Sequence, residues 1–249
     1  MAPRRRTRAA ELEAPQVTCK HASIEEEAAS SPGRTHWGEW HRAYDDPGSS
    51  LSRRLVAVQR LISQCLDVAP QGEIRVLSLC AGDGRDLLGV LERHPRRSDI
   101  RALLIDFDEA LVEEGRRRID ELGVSGVTFE QADAGDTACL GSLRDVQLVL
   151  ACGIFGNVAA DDIRGTILGL SVLLALGGST IWTRHRLAPD LTPTIKGWFV
   201  AAGFEEMAFV VLPRSSASVG CNRLIAKEPT RQLQPRLFEF IGDGAGGLC

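Results

Sequence analysis

Residues 76–86 read VLSLCAGDGRD, a short apolar run that breaks into a glycine-rich turn. The turn contains Gly82 and Gly84, and apolar residues at helical spacing follow it from Leu87 onward. A strand, a glycine turn and a helix in this order are how open α/β folds present backbone N–H groups to a nucleotide-like ligand. The stretch therefore predicts a ligand site at the first strand of a parallel α/β sheet.

Acidic residues at the ends of the next two apolar runs narrow the choice of ligand. The run 102–105 ends in Asp106, 22 residues after Gly84, and a later run leads to Asp133. A carboxylate at the first of these distances can accept hydrogen bonds from ribose hydroxyls. In the G-x-G-x-x-G fingerprint of dinucleotide-binding proteins, counted from Gly82, the third glycine falls at Leu87, where a small residue is needed. A dinucleotide-binding fold also has no general need for an acidic residue at the position of Asp133. These residues disfavour a nicotinamide cofactor.

Four motifs, taken in order, resemble those of the class I S-adenosylmethionine-dependent methyltransferases, and the resemblance covers about residues 74–227. Ser78 stands where the first motif of that family has an acidic residue, and Cys80 stands where it has its first glycine. The four motifs match residues 78–84, 105–108, 132–133 and 148–153.

The resemblance implies a site for S-adenosyl-L-methionine at these motifs. It implies that Asp106 binds the ribose hydroxyls, that Asp133 faces the adenine amino group, and that Cys152 lies beside the reacting methyl group. The other residues implied to bind the cofactor are Cys80, Ala81, Gly82, Gly84, Phe107 and Ala132. The implied fold is α/β, a Rossmann-like, doubly wound, seven-stranded and mostly parallel sheet with an antiparallel final strand and an N-terminal helical cap.

Changes in composition divide the chain of 249 residues into four parts. Residues 1–34 are rich in Arg, Glu, Ala and Ser and predict a disordered or loosely held tail. Residues 35–72 predict a helical cap, and residues 73–229 predict the core that binds S-adenosylmethionine. Residues 230–249 form a C-terminal tail in which several apolar side chains are able to dock on the body.

The composition also limits the class of partner. A net charge of −4 gives no electrostatic reason to expect nucleic acid, so we expect a small-molecule substrate. The seven cysteines are scattered without a CxxC pair, which is typical of reduced, cytoplasmic thiols and predicts no metal site. No apolar run approaches the length of about 18 residues that a membrane span needs. The sequence leaves the oligomeric state open.

Methyl transfer from a sulfonium asks the protein to align the reactants, exclude water and sometimes remove a proton. His185, directly after the predicted fifth strand, and His41, in the cap, are the candidate bases. Either histidine could instead fill a plain polar role. The candidates for contact with the substrate are Trp37, Trp40, Tyr44, Phe155 and Arg184. For the tryptophans we favour the simpler interpretation, that they fasten the cap to the core.

Three functional hypotheses follow. The first is methyl transfer to O, N or C of a small-molecule metabolite. The second is a protein that binds S-adenosylmethionine in a non-methylating or regulatory role, and the departures at Ser78 and Cys80 keep it open. The third is a nicotinamide-dependent oxidoreductase, which Leu87 and Asp133 disfavour.

Overall fold

The computed structural model describes Tyr44, Asp46 and residues 48–241. Seven strands occur in this part of the chain. They are β1 (Ile74–Leu79), β2 (Ile100–Asp106), β3 (Val127–Gln131), β4 (Val146–Ala151), β5 (Leu174–His185), β6 (Phe204–Val211) and β7 (Ala217–Leu224). They form one sheet in the order β3-β2-β1-β4-β5-β7-β6. The first five strands are parallel, and β7 lies antiparallel between β5 and β6. The predicted Rossmann-like sheet with an antiparallel final strand is confirmed.

Five α-helices cover the sheet within the described residues. They are α1 (Ser50–Val68), α2 (Arg85–Leu91), α3 (Glu109–Leu122), α4 (Ala160–Leu173) and α5 (Thr192–Ala201). Local signals set their ends. The Ser49 hydroxyl accepts from the Ser52 N–H and caps α1, and Asp108 caps α3 in the same way. Gly123, with φ 63°, ends α3 in the left-handed conformation that glycine adopts readily.

The helices lie on both faces of the sheet, as buried parallel strands require. Helices α1, α2 and α3 bury one set of apolar side chains against one face, and α4 and α5 bury a second set against the other. Helix α1 packs on α2, β5 and β7 and buries Val58, Ile62 and Leu66. This part of the predicted cap, residues 50–68, is therefore a helix of the core layer and not a separate cover.

The C-terminal segment crosses the edge of the sheet at which the parallel strands end. We call residues 235–241 the strap. Within it, Leu237 and Phe238 are almost fully buried, and Ile241 donates its N–H to the Asn157 carbonyl. The predicted docking of the C-terminal apolar residues is confirmed for Leu237 and Phe238, whereas the Ile241 side chain is exposed. The predicted tail 1–34 lies outside the described residues, and none of the described helices is long and apolar enough to cross a membrane.

Candidate functional site

The loop after β1 has an unusual backbone, because three of its residues take positive φ. The values are 52° at Cys80, 59° at Gly82 and 76° at Gly84. A residue with a β-carbon pays roughly 1–2 kcal/mol in this left-handed region. The family that this chain resembles has a glycine at the position of Cys80, and the backbone conformation gives the physical reason. Cys80 retains the shape of the turn at the cost of strain.

Close packing explains why Gly84 has no side chain. A β-carbon at this position would lie 2.9 Å from side-chain carbons of both Leu88 and Leu104. The loop is also tied to the neighbouring strand, because the Ala81 N–H donates to the Ile105 carbonyl at 2.8 Å. The turn is thus held tightly between α2 and β2, with its backbone close to the end of β2.

Asp106, the last residue of β2, is almost fully buried at 1% exposure. Its Oδ2 accepts from the Gly82 N–H at 2.7 Å, and its Oδ1 accepts from the Asp108 N–H at 3.0 Å. Burial raises the pKa of this carboxyl to about 6, although the backbone hydrogen bonds oppose the rise. The Phe107 backbone also hydrogen-bonds this carboxylate, which leaves it able to accept at least one further hydrogen bond. The predicted contact with ribose hydroxyls is compatible with this geometry and stays a prediction.

Asp133 lies two residues beyond β3, and its carboxylate has two partners. Oδ1 accepts from the Gly135 N–H at 2.8 Å, and Oδ2 accepts from Arg236 Nη2 of the strap at 2.7 Å. Nearby, the Ala132 N–H donates to the Asp106 carbonyl, and the Phe107 ring is half exposed. The structure thus brings Asp106, Phe107, Ala132 and Asp133 to one stretch of the sheet edge.

A cluster of ionisable side chains lies at the end of β4. We call Tyr44, Arg54, Asp86 and Cys152 the inner cluster. The Arg54 guanidinium donates to the Tyr44 hydroxyl, and the Cys152 thiol hydrogen-bonds the Asp86 carboxylate. The Arg85 guanidinium carbon also lies 4.6 Å from the centroid of the Tyr44 ring, close enough for a cation–π contact. The cluster joins the segment before α1 to the first helix and the fourth strand of the core.

Burial dominates the electrostatics of the inner cluster. It raises the pKa of Tyr44 to about 12, and it also raises the pKa of Asp86 and of the Cys152 thiol. The positive charge of Arg54 opposes all three rises, and the charge of Arg85 also opposes the rise at Asp86. Sequence reasoning missed the contact of Arg54 with Tyr44 and that of Asp86 with Cys152, because neither pair is close in the sequence.

The electrostatic influence of Arg54 on Asp86 predicts a non-additive pair of substitutions. Arg54→Ala removes a positive charge that favours the half-buried Asp86 carboxylate and the donor to the Tyr44 hydroxyl, so we expect the free energy of unfolding to fall by about 1–3 kcal/mol. Adding Asp86→Ala removes that carboxylate, so the double variant should lose clearly less than the sum of the two single variants. Urea unfolding of the four proteins measures the difference. Arg117→Ala, which breaks only exposed ion pairs, is the control and should change stability by less than about 1 kcal/mol. Additive single effects would show that the pair is not coupled.

His185, the last residue of β5, is half-buried beside the loop that follows β4. Its Nδ1 is buried and has no hydrogen-bond partner among the described residues. Burial and then the charge of Arg184 lower the pKa of its imidazole, so the ring is neutral at pH 7. A neutral imidazole is able to accept a proton, and the role of His185 as a base stays a prediction.

Two other predicted substrate residues have structural roles. Arg184 is 8% exposed, and its guanidinium donates to the Phe155 carbonyl, which fastens the loop after β4 to β5. Phe155 has no exposed surface, and its ring centroid lies 5.8 Å from that of Trp182 and 6.4 Å from that of Phe199. The assignment of Phe155 to the substrate site is corrected, because its ring belongs to the aromatic core. Arg184 is a loop anchor in this structure.

The structure places most of the predicted cofactor residues together, at the carboxyl ends of β1, β2, β3 and β4. Of the predicted cap residues, Tyr44 belongs to the inner cluster, whereas Trp37, Trp40 and His41 lie outside the described residues. Across residues 48–241, no group of three or more His, Cys, Asp or Glu side chains is arranged to hold a metal ion.

A parallel sheet with a glycine turn after its first strand and a buried carboxylate after its second is typical of nucleoside-binding Rossmann-like proteins. Residues 48–220 match the family model described as "Putative methyltransferase", and the chain belongs to that family. The Escherichia coli (strain K12) protein YnbC, described as uncharacterized, is 32% identical over 146 residues, which are 57% of this chain and 25% of YnbC. The chain thus matches about a quarter of the length of that relative.

Solved structures confirm the fold. The magnesium protoporphyrin IX methyltransferase of Synechocystis PCC 6803, solved with bound S-adenosylmethionine, has a TM-score of 0.58 and 16% identity, covering 76% of this chain and 91% of that chain. The CurJ carbon methyltransferase has a TM-score of 0.53 and 16% identity, covering 69% of this chain and 54% of that chain. At such identities the shared property is the fold.

Proposed function

We propose that this protein transfers the methyl group of S-adenosyl-L-methionine to O, N or C of a small-molecule metabolite. The observation that carries the proposal is the buried Asp106 carboxylate, bound by the Gly82 N–H under the glycine turn, in a chain of a methyltransferase family. The net charge of −4 supports a small molecule over nucleic acid as the partner. A cytoplasmic location stays a prediction from the scattered cysteines.

The residues present fit the nucleoside end of such a cofactor. The Asp106 carboxylate can still accept a hydrogen bond from the ribose hydroxyls, and Gly82 lets the backbone approach closely because it has no side chain. Asp133 is an acceptor for the adenine amino group, and the half-exposed Phe107 ring offers an apolar face to the base. Cys80, Ala81 and Gly84 complete the turn.

The residues at the end of β4 fit the reacting end. When bound, the cofactor supplies an activated methyl group, so the protein need only hold an acceptor in line with it. We assign the water-excluding wall of the acceptor site to Cys152 and Tyr44, which are held by Asp86 and Arg54. His185 is neutral and is assigned the removal of a proton from the acceptor where the chemistry requires it.

Two measurements test the proposal. S-adenosylhomocysteine should stabilise the protein against heat, by about 2.7 kcal/mol at 100 times its dissociation constant, and NAD should not. Release of S-adenosylhomocysteine from S-adenosylmethionine should then occur with at least one member of a panel of phenols, amines and carbon acids. Stabilisation by NAD alone would support an oxidoreductase, and binding without turnover on any acceptor would support the non-methylating role.

The raised pKa of Asp106 predicts that binding of the cofactor depends on pH. Ribose hydroxyls donate to the ionised carboxylate, so the bound state favours ionisation, whereas the free carboxyl is protonated below a pKa of about 6. The affinity for S-adenosylhomocysteine should therefore be constant above about pH 7 and fall by up to about tenfold per pH unit below 6. Calorimetry between pH 5 and 8 measures this change. Asp106→Asn should flatten the dependence, and an unchanged profile in that variant would assign the titration to another group.

A further inference from the structure

The strap supplies a charged partner to the residue that we assign to adenine. Arg236 Nη2 lies 2.7 Å from Asp133 Oδ2, although the two residues are separated by 103 positions in the chain. Both side chains are nearly half exposed. The hydrogen bond with Asp133 raises the pKa of Arg236, so the pair is a charge-assisted contact in which Arg236 stays a cation.

The strap packs closely against two glycines of the core, Gly135 and Gly169. A β-carbon on Gly135 would lie 2.4 Å from the Phe238 carbonyl oxygen, and one on Gly169 would lie 2.4 Å from a methyl carbon of Leu237. Gly135 is thus required by the close approach of the strap backbone, whereas a side chain at position 169 would displace the end of the Leu237 side chain. The buried Thr166 hydroxyl lies 2.9 Å from the Leu237 carbonyl and 2.7 Å from the Asp162 carbonyl, and the Glu239 N–H donates to the Asp162 carboxylate at 3.1 Å. The backbone of the strap is therefore docked independently of the Arg236 side chain.

The strap bonds to two of the loops that form the candidate site. The Leu237 N–H donates to the Gly135 carbonyl in the loop after β3, and the Ile241 N–H donates to the Asn157 carbonyl in the loop after β4. These loops carry Asp133 and Cys152 respectively. The stretch matched by the family model ends at residue 220, so the strap lies outside the matched part of the chain.

The two partners of Asp133 together fix its carboxylate. Gly135 holds Oδ1 from within the loop, and Arg236 holds Oδ2 from the strap, which leaves one lone pair on each oxygen and little freedom of rotation. Without Arg236, the carboxylate would be held at one oxygen only. A carboxylate that is already oriented binds the adenine amino group more tightly, because no free energy is spent on ordering it when the ligand binds.

We propose that Arg236 is a positioning residue that orients the Asp133 carboxylate toward the adenine amino group, so that the strap contributes to recognition of the base. This inference rests on the proposed function, because it requires S-adenosylmethionine as the cofactor. Arg236 acts through Asp133 and need not touch the cofactor. Loss of Arg236 should therefore weaken the binding only of ligands that carry the adenine amino group, whereas loss of general support for the fold would weaken the binding of every ligand.

The test compares two ligands by calorimetry, S-adenosylhomocysteine and its analogue in which hydrogen replaces the adenine amino group. The wild-type protein should prefer the amino ligand by at least about tenfold, because the contact is charge-assisted. Arg236→Ala should reduce that preference by about three- to fivefold, through weaker binding of the amino ligand alone. Arg236→Lys should restore part of it, and Asp133→Ala should remove it.

Lys196→Ala is the matched control, because Lys196 forms a comparably exposed ion pair with Glu206 on β6, away from the strap. It should leave the preference unchanged. An equal preference in wild type and Arg236→Ala would overturn the inference. Binding of both ligands with equal affinity by the wild type would also overturn it, while leaving the proposed function standing. Failure of the wild type to bind either ligand would overturn both.

Discussion

Deletion of residues 1–47 is expected to lower kcat/KM for methyl transfer by on the order of 100-fold or more, whereas deletion of residues 1–34 leaves it largely intact. The longer deletion removes Tyr44 and with it the aromatic wall of the inner cluster at the end of β4. Arg54 and Asp86 then become more exposed to water, and the acceptor loses a surface that holds it in line. Both deletions retain Ser49, so the N-cap of α1 is preserved. Turnover under saturating cofactor measures the effect.

Substitution of Tyr44 separates its roles. Tyr44→Phe removes the hydroxyl that accepts from Arg54 but keeps the ring against Arg85, so it should retain much more activity than Tyr44→Ala. Thermal unfolding of each variant controls for loss of the fold. Full activity in the longer deletion would show that the segment before α1 is not part of the active site. It would leave His185 and the loops after the strands as the residues that face the substrate.

Asp106→Ala is expected to weaken binding of S-adenosylhomocysteine by roughly 1.5–3 kcal/mol, the range for hydrogen bonds to a charged group. The substitution also frees the Gly82 N–H, which loses its acceptor at 2.7 Å. The loss should therefore appear in the binding of every ligand that carries a ribose and should persist when the adenine amino group is absent. Isothermal calorimetry at pH 8, where the carboxyl is ionised, measures it.

Asp108→Ala is the neighbouring control for this substitution. The Asp108 carboxylate accepts from the Ala110 and Leu111 N–H groups and caps α3, so its loss should cost about 1 kcal/mol of stability with little change in affinity. Equal affinity of the wild type and Asp106→Ala for S-adenosylhomocysteine would show that Asp106 does not bind the cofactor.

The part of the site that the sequence predicts well is the part that parallel pairing determines. Leu79 is paired with Ile105 in the β1–β2 register, so the glycine turn after β1 necessarily lies next to Asp106. A short strand and the residue that ends it are visible in the sequence, and neighbouring parallel strands end at the same edge. The family resemblance adds the order of the motifs along that edge.

The residues that sequence reasoning misplaced depend on packing between distant segments. Phe155 follows a strand end, as a site residue would, but the turn at Gly153 directs the chain back into the core, where Trp182 and Phe199 bury the ring. The periodicity of α1 predicts a helix but not that its buried face rests on β5 and β7. Arg236, which bonds Asp133 from the strap, is 103 residues away in the sequence, and no local pattern predicts this contact.

The position of β7 has a consequence for the synthesis of the chain. The last of the seven described strands lies between two earlier ones, and β6 pairs with β7 alone in the sheet. While the chain grows from its N-terminus, β6 therefore emerges with no strand beside it and waits for Ala217–Leu224 to insert next to β5. The strap is made later still. Completion of the sheet and covering of the site edge thus follow the synthesis of β1 to β6, when the body made earlier is already able to receive them.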